Sequence, residues 1–299
     1  MNNQIENLVF KGGGVLGIAY AGAIEVLELK NILPNVKRVA GTSAGAITAA
    51  LVSLRYTSAQ ITTIVNQTDF KSFEDGGLLP DALHVLNKYG FYKGDAFLQW
   101  MKTQIKNTGL DENATFKDFE NKGCRELHVF ASDLNTKGLR EFSTELTPNV
   151  VVAEAVRASM SIPLFFEAWQ FRNNNPDSHI YVDGGMLYNY PITIFDTEGD
   201  ANPKTMGFFL SNLGKPAPPD NLTTGHFIEY VRNLVDGMLE AQVINFLHDP
   251  DEEKLSVIID NLGISPTNFK LTDDQKTALF NSGKKYATEY ITKNLTVPA

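Results

Sequence analysis

Three short stretches carry residues able to do chemistry. In GTSAG, Gly41 to Gly45, a serine stands in the G-x-S-x-G spacing. That spacing suits a nucleophile, Ser43, on a sharp strand-to-helix turn, where flanking side chains would collide with neighbouring backbone. In IYVDGGMLYNYPI, Asp183 ends a strand-like run and precedes Gly184 and Gly185. Spacing alone makes it equally a general base for a serine and an aspartate that shapes a D-G turn. In FKGGGVLG, Gly12, Gly14 and Gly17 satisfy the G-x-G-x-x-G spacing of a dinucleotide loop. The same backbone amides suit the oxyanion of an acyl transfer.

Position helps to separate these two readings of the loop. A dinucleotide fold places an acidic residue about 20 residues beyond its glycines, at the end of the second strand, to hold a ribose hydroxyl. Here that strand, KRVAGTS, ends in Gly41-Thr42-Ser43. The balance tilts toward an oxyanion. A serine nucleophile then needs a base within reach. None of the five histidines, His84, His128, His179, His226 and His248, sits in a local catalytic signature. Each reads first as a structural or surface residue. A Ser-His-Asp triad in the chain order Ser43, Asp183, then His226 or His248 is the alternative.

The elements that must position these residues alternate. Leu8 to Phe10 reads as a strand and Ile18 to Lys30 as a helix; Val36 to Ala40 and AITAALVSL repeat the pattern. Further strands are expected at Glu126 to Ala131, Arg140 to Ser143, Ile180 to Val182 and Met206 to Leu210, and helices at Val150 to Met160 and His226 to Phe246. This is an α/β pattern with a largely parallel central sheet. Residues 69–121 hold fewer strands and read as a helical insertion. In it Phe97, Trp100, Met101 and Ile105 form one apolar stripe, which either packs on the core or, with Leu78, Leu79, Phe91 and Tyr92, borders an acyl channel or a bilayer. The Pro-rich KPAPPDN at Lys215 to Asn221 leads into C-terminal helices.

Composition sets the outer bounds. The chain has 299 residues, 43% of them hydrophobic, enough for one large domain with a sizeable core. A net charge of −9 offers no basic stripe for phosphates, which argues against nucleic-acid binding. The single cysteine, Cys124, excludes an internal disulfide framework and any multi-cysteine metal site. No secretory signal or membrane span is legible, so the expectation is a soluble protein with the cytoplasm as default compartment. A secretion route that reads no such signal leaves no trace at this level.

FKGGGVLG, GTSAG and VDGG, in that order, resemble the three signature blocks of the patatin-like phospholipases. VFASDLNTKGLREFS and AVRASMSIPLFFEA, with Ser161-Ile162-Pro163, resemble the family's intervening segments. The resemblance spans about Leu8 to Pro191. It implies a three-layer α/β fold, with a catalytic domain over 1–213 and a helical extension over 214–299 packed on the same domain. It further implies a Ser-Asp dyad without histidine: Ser43 as nucleophile, Asp183 as base, and the amides of Gly12, Gly13 and Gly14 as oxyanion hole. Gly17, Gly41, Gly45, Gly184 and Gly185 support the motifs. The implied substrate is a phospholipid or other acyl-ester lipid, met at a peripheral membrane surface, with no metal and no organic cofactor. One departure stands out. Where the family usually has Arg or Lys before the last glycine of the first block, this chain has Leu16, so that loop works from its amides alone, turns over slowly, or draws charge from Lys11; a catalytically silent lipid-binding relative is the alternative.

Overall fold

The computed structural model describes residues 5–76, 88–213, 229–231, 233–234, 236–238 and 250–295. Both strand-turn-helix units form. Asn7–Phe10 (β1) passes through a single 3-10 turn, Gly14–Gly17, into Ile18–Leu29 (α1). Arg38–Thr42 (β2) turns at Ser43 into Ala44–Ser53 (α2), and Ser58–Gln67 (α3) follows. All four residues of β1 are buried, as expected of a strand covered on both faces.

Among the described residues the main sheet has seven strands. The others are Glu126–Asp133 (β4), Gly138–Phe142 (β5), Tyr181–Asp183 (β7), Thr205–Ser211 (β8) and Ser256–Asp260 (β9). Their order is β5-β4-β2-β1-β8-β9, with β7 also paired to β4. The pairs β1–β2, β1–β8, β2–β4 and β8–β9 are parallel; β5 and β7 run antiparallel to β4. The larger core lies on one face of this mixed sheet, against α1 and α2. A smaller cluster of Val9, Ala40, Phe130, Tyr190, Ile192, Phe195 and Phe209 fills the other.

One register brings the chemistry together. β2 ends with Thr42 opposite Phe130, and β7 ends with Asp183 opposite Ala131. β5 occupies the other edge of β4 along residues 129–133, so β7 continues the line of β2. The C-terminal ends of β2 and β7 therefore meet over two consecutive residues of β4. That junction sets Ser43 beside Asp183.

Two regions differ from the sequence reading. The insertion contributes a strand, Gly90–Tyr92 (β3), which pairs in parallel with Leu164–Phe166 (β6), alongside helices Asp95–Lys106 (α4) and Phe116–Lys122 (α5). Phe97, Met101 and Ile105 are fully buried in the main core and Trp100 packs against it half-buried, so this stripe is packing, and the Tyr92 ring rests on Phe165. Leu78 and Leu79 lie outside the described residues, as do Lys215 to Asn221 and most of the expected helix from His226 to Phe246. The C-terminal part, expected as a helical extension, also supplies the strand β9. Its run SVIID is too short for alternation to show in the sequence. Pro250–Lys254 (α7) precedes β9, and beyond the strand Asp273–Asn294 (α8) lies on α1, where Gly22 faces the Phe280 carbonyl and Gly283 the Ala19 carbonyl. A side chain at either glycine would hold the two helix backbones apart.

Candidate active site

Ser43 is the N-cap of α2, at φ 54° and ψ −124°. A non-glycine residue in that region costs on the order of 1–3 kcal/mol and persists only where its surroundings fix it. Serine at an N-cap normally turns its hydroxyl onto the first helical amides, but here the side chain makes no capping bond. The hydroxyl is thus available at the positive end of the helix dipole, which favours a developing oxyanion. Gly41 and Gly45 make the turn possible: a Cβ at Gly41 would strike the Gly45 carbonyl, and one at Gly45 the Phe10 carbonyl.

The strain is held by a side chain that the sequence reading missed. The Ser43 amide donates to Ser159 Oγ at 2.9 Å, and Ser159 Oγ donates to the Phe130 carbonyl at 2.5 Å. Ser159 ends Val152–Ser159 (α6) and is fully buried. Two residues on, the Ser161 carbonyl accepts the Asp183 amide at 2.8 Å. One segment thus grips the backbone of both candidate residues. Behind it the buried Arg157 guanidinium donates to Ser161 Oγ at 2.5 Å and to the carbonyls of Lys93, Gly94 and Glu167. The signal in the sequence was slight: Arg157, Ser159 and Ser161 recur at every second position among the apolar residues of AVRASMSIP.

Asp183 is buried, at 3% exposure. Oδ1 accepts the Gly185 amide at 2.7 Å, whereas Oδ2 has no hydrogen-bond partner among the described residues. Burial pushes the carboxyl up to about 6, against the downward pull of the Ser43 hydroxyl and the Gly185 amide. Ser43 is therefore close enough to act on the charge, without an aligned hydrogen bond at Oδ2. Such pairs commonly tighten only when substrate is bound. Gly184 lies against the Phe130 carbonyl and Thr42 Cγ2, with no room for a side chain.

The glycine loop lies over the serine: a Cβ on Gly12 would come within 3.2 Å of Ser43 Cβ. The Gly12 amide donates to the Asn189 carbonyl at 2.9 Å, so it is already engaged. The Gly13 and Gly14 amides have no acceptor among the described residues. Gly14 is at φ +54°, and its missing Cβ would strike the Pro266 carbonyl. Gly17 caps α1 and abuts Ala44. Leu16, where a cation was the family expectation, is buried in the main core. Lys11 Nζ donates to the Leu210 carbonyl at 3.3 Å and sits 4.9 Å from the centre of the Phe209 ring.

Neither described histidine serves Ser43. His128 bonds Glu141 at 2.7 Å and Glu126 at 3.1 Å; His179 bonds Asp133 at 2.7 Å. His84, His226 and His248 lie outside the described residues.

Comparison with known proteins places the chain in a family. The profile of the family described as Patatin-like phospholipase matches residues 8–196. Protein YqhO of Bacillus subtilis (strain 168) is 34% identical over 96% of this chain and 98% of its own length. Probable lipid hydrolase 463L of Invertebrate iridescent virus 6 is 27% identical over 63% of this chain and 62% of its own. Among solved structures, VipD from Legionella pneumophila superimposes with a TM-score of 0.65, covering 97% of this chain and 67% of that one at 17% identity, a likeness of fold. The mixed α/β sheet, the ordered glycine, serine and aspartate blocks and the matched span agree: this chain belongs to the patatin-like phospholipase family, a family of lipid hydrolases.

Proposed function

We propose that the protein is a serine acylhydrolase of the phospholipase A or lysophospholipase type, which cleaves carboxylic esters of lipids through Ser43 and Asp183. The observation that carries this reading is Asp183: a buried carboxylate beside Ser43 with one oxygen lacking a partner among the described residues and a pKa near 6. An ordinary aspartate, at about 3.9, is a poor base at neutral pH; burial makes this one a better base, still ionised at pH 7.

In the first half-reaction Ser43 Oγ attacks the ester carbonyl carbon and Asp183 takes its proton. The carbonyl oxygen becomes an oxyanion, and the Gly13 and Gly14 amides donate to it, an interaction available only once charge develops. Gly12 contributes through its position, since its amide is held by Asn189. The intermediate collapses, the C–O bond breaks, and the leaving alcohol carries off the proton from Asp183. Water then attacks the acyl-serine carbonyl with Asp183 as base. The second collapse returns that proton to Ser43 Oγ and frees the fatty acid.

No described helix is long and apolar enough to cross a membrane. The enzyme on this reading meets its lipid peripherally. The test is fatty-acid release from phosphatidylcholine, lysophosphatidylcholine and trioleoylglycerol. At least one phospholipid substrate should be hydrolysed, and Ser43→Ala should lower that rate by roughly three orders of magnitude or more. Retained activity within about tenfold would remove Ser43 from the mechanism.

A further inference from the structure

The glycine loop rests against a part of the chain that lies beyond the matched span of 8–196. The Val15 amide donates to the Pro266 carbonyl at 3.0 Å, and that carbonyl fills the space a Gly14 side chain would take. The turn presenting Pro266 is itself gripped on both sides of the proline. Ser265 Oγ donates to Asp236 Oδ2 at 2.6 Å, Thr267 Oγ1 donates to Asp236 Oδ1 at 3.3 Å, and the Thr267 amide donates back to Ser265 Oγ at 3.2 Å. Thr267 is buried, at 2% exposure. Two residues later Phe269 stacks on Phe165 with ring centres 5.1 Å apart and planes at 14°. From there the chain enters α8, which lies on α1, and α1 begins where the glycine loop ends. The turn therefore closes a circuit that starts and finishes at the loop.

Diverting Val15 has a consequence for its neighbours. With Gly12 tied to Asn189 and Val15 tied to Pro266, the loop is fixed at both ends, and among the described residues the Gly13 and Gly14 amides between them have no acceptor. Preorganised donors of this kind lose much of their effect when displaced by about an ångström.

We propose that the Ser265–Thr267 turn is a positioning element for the oxyanion amides, with Asp236 as the latch that sets it. Ser265, Thr267 and Asp236 touch no reacting atom and act through Pro266. The inference rests on the assignment of the Gly12–Gly17 loop to the oxyanion. It gives the C-terminal region a part in catalysis and makes Asp236, more than 200 residues from the loop in sequence, a point through which activity can be set.

The test combines hydrogen exchange at the Val15 amide with kcat and KM on a short soluble ester. The proteins are wild type, Ser265→Ala/Thr267→Ala, the hydroxyl-preserving Ser265→Thr/Thr267→Ser, Asp236→Asn and, in parallel, Ser43→Ala. The double alanine variant should expose the Val15 amide and lower kcat on the order of tenfold with KM unchanged. The hydroxyl-preserving variant should restore most of both, which a general loss of folding would not allow. Asp236→Asn serves as the milder lesion should the double variant unfold. Unchanged Val15 exchange, or faster exchange with unchanged kcat, overturns the proposal. Hydrolysis that survives Ser43→Ala defeats the catalytic assignment instead, and the Val15 exchange then decides whether the latch exists.

Discussion

Two buried ionisable sites lie along the same strand, β4, and they are built in opposite ways. Around His128 every charge has an answer: the ring bonds Glu141 on one nitrogen and Glu126 on the other, and stands edge-on to Phe195. Burial pulls the His128 pKa down, but the two carboxylates outweigh it and the net shift is upward; both glutamates titrate below their usual range. At Asp183 burial also comes first, and nothing outweighs it. Complete pairing makes the first site structural. The incomplete pairing of the second stores a proton affinity that chemistry can use.

The sharpest break of this comparison is Asp183→Asn. It keeps the shape and removes the base, so ester hydrolysis should fall nearly as far as in Ser43→Ala, since residues acting as one unit are not additive. The sign of the stability effect separates function from structure. The folded pKa of about 6 exceeds the reference of 3.8, so between these values the folded state binds the extra proton and stability falls as pH rises. Asp183→Asn should abolish that decline and gain relative to wild type at pH 7, by at most about 3 kcal/mol, in denaturant titrations at pH 4 and 7.

Next in size is Gly14→Ala. It forces a side chain into a positive φ and against the Pro266 carbonyl, so turnover should drop on the order of a hundredfold while the Asp183 acid limb stays in place. Ser159→Ala should cost less, roughly tenfold in kcat, because the strained Ser43 amide loses its acceptor while the dyad remains. Steady-state kinetics beside a melting curve checks both.

The smallest effect on chemistry belongs to His128→Gln, with hydrolysis within about twofold of wild type and a stability loss of about 1–3 kcal/mol. Here too the raised pKa fixes the sign. Stability from protonated His128 is complete below its unfolded value near 6.5 and is lost as pH rises through the raised folded value. The variant should lose that slope above pH 6.5, whereas Asp183→Asn loses the one between about 4 and 6.

The two sites also mark how far the sequence could be read. Ser43 and the glycines around it were legible because a strained turn admits few residue types, and Asp183 because it stands before two glycines. Its role was not legible from spacing, since that depends on β7 continuing the line of β2 along β4. ELHVFA offers no catalytic signature for His128 but does not show what holds it, because its partners Glu126 and Glu141 are brought together by the β4–β5 pairing. Ser159 and Pro266 were missed for a related reason: one accepts a backbone amide with a hydroxyl, the other with its main-chain carbonyl, and neither leaves a motif. The same holds for β9, whose five residues are a strand because β8 offers an open edge.

The most direct test of the Ser43–Asp183 pair is the pH dependence of labelling by a fluorophosphonate probe, with the modified residue mapped by mass spectrometry. The label should fall on Ser43, at a rate that rises through about pH 6 to a plateau, collapses in Asp183→Asn, and persists in His226→Ala and His248→Ala. An undiminished rate in Asp183→Asn, or labelling lost in either histidine variant while the protein stays folded, would contradict it.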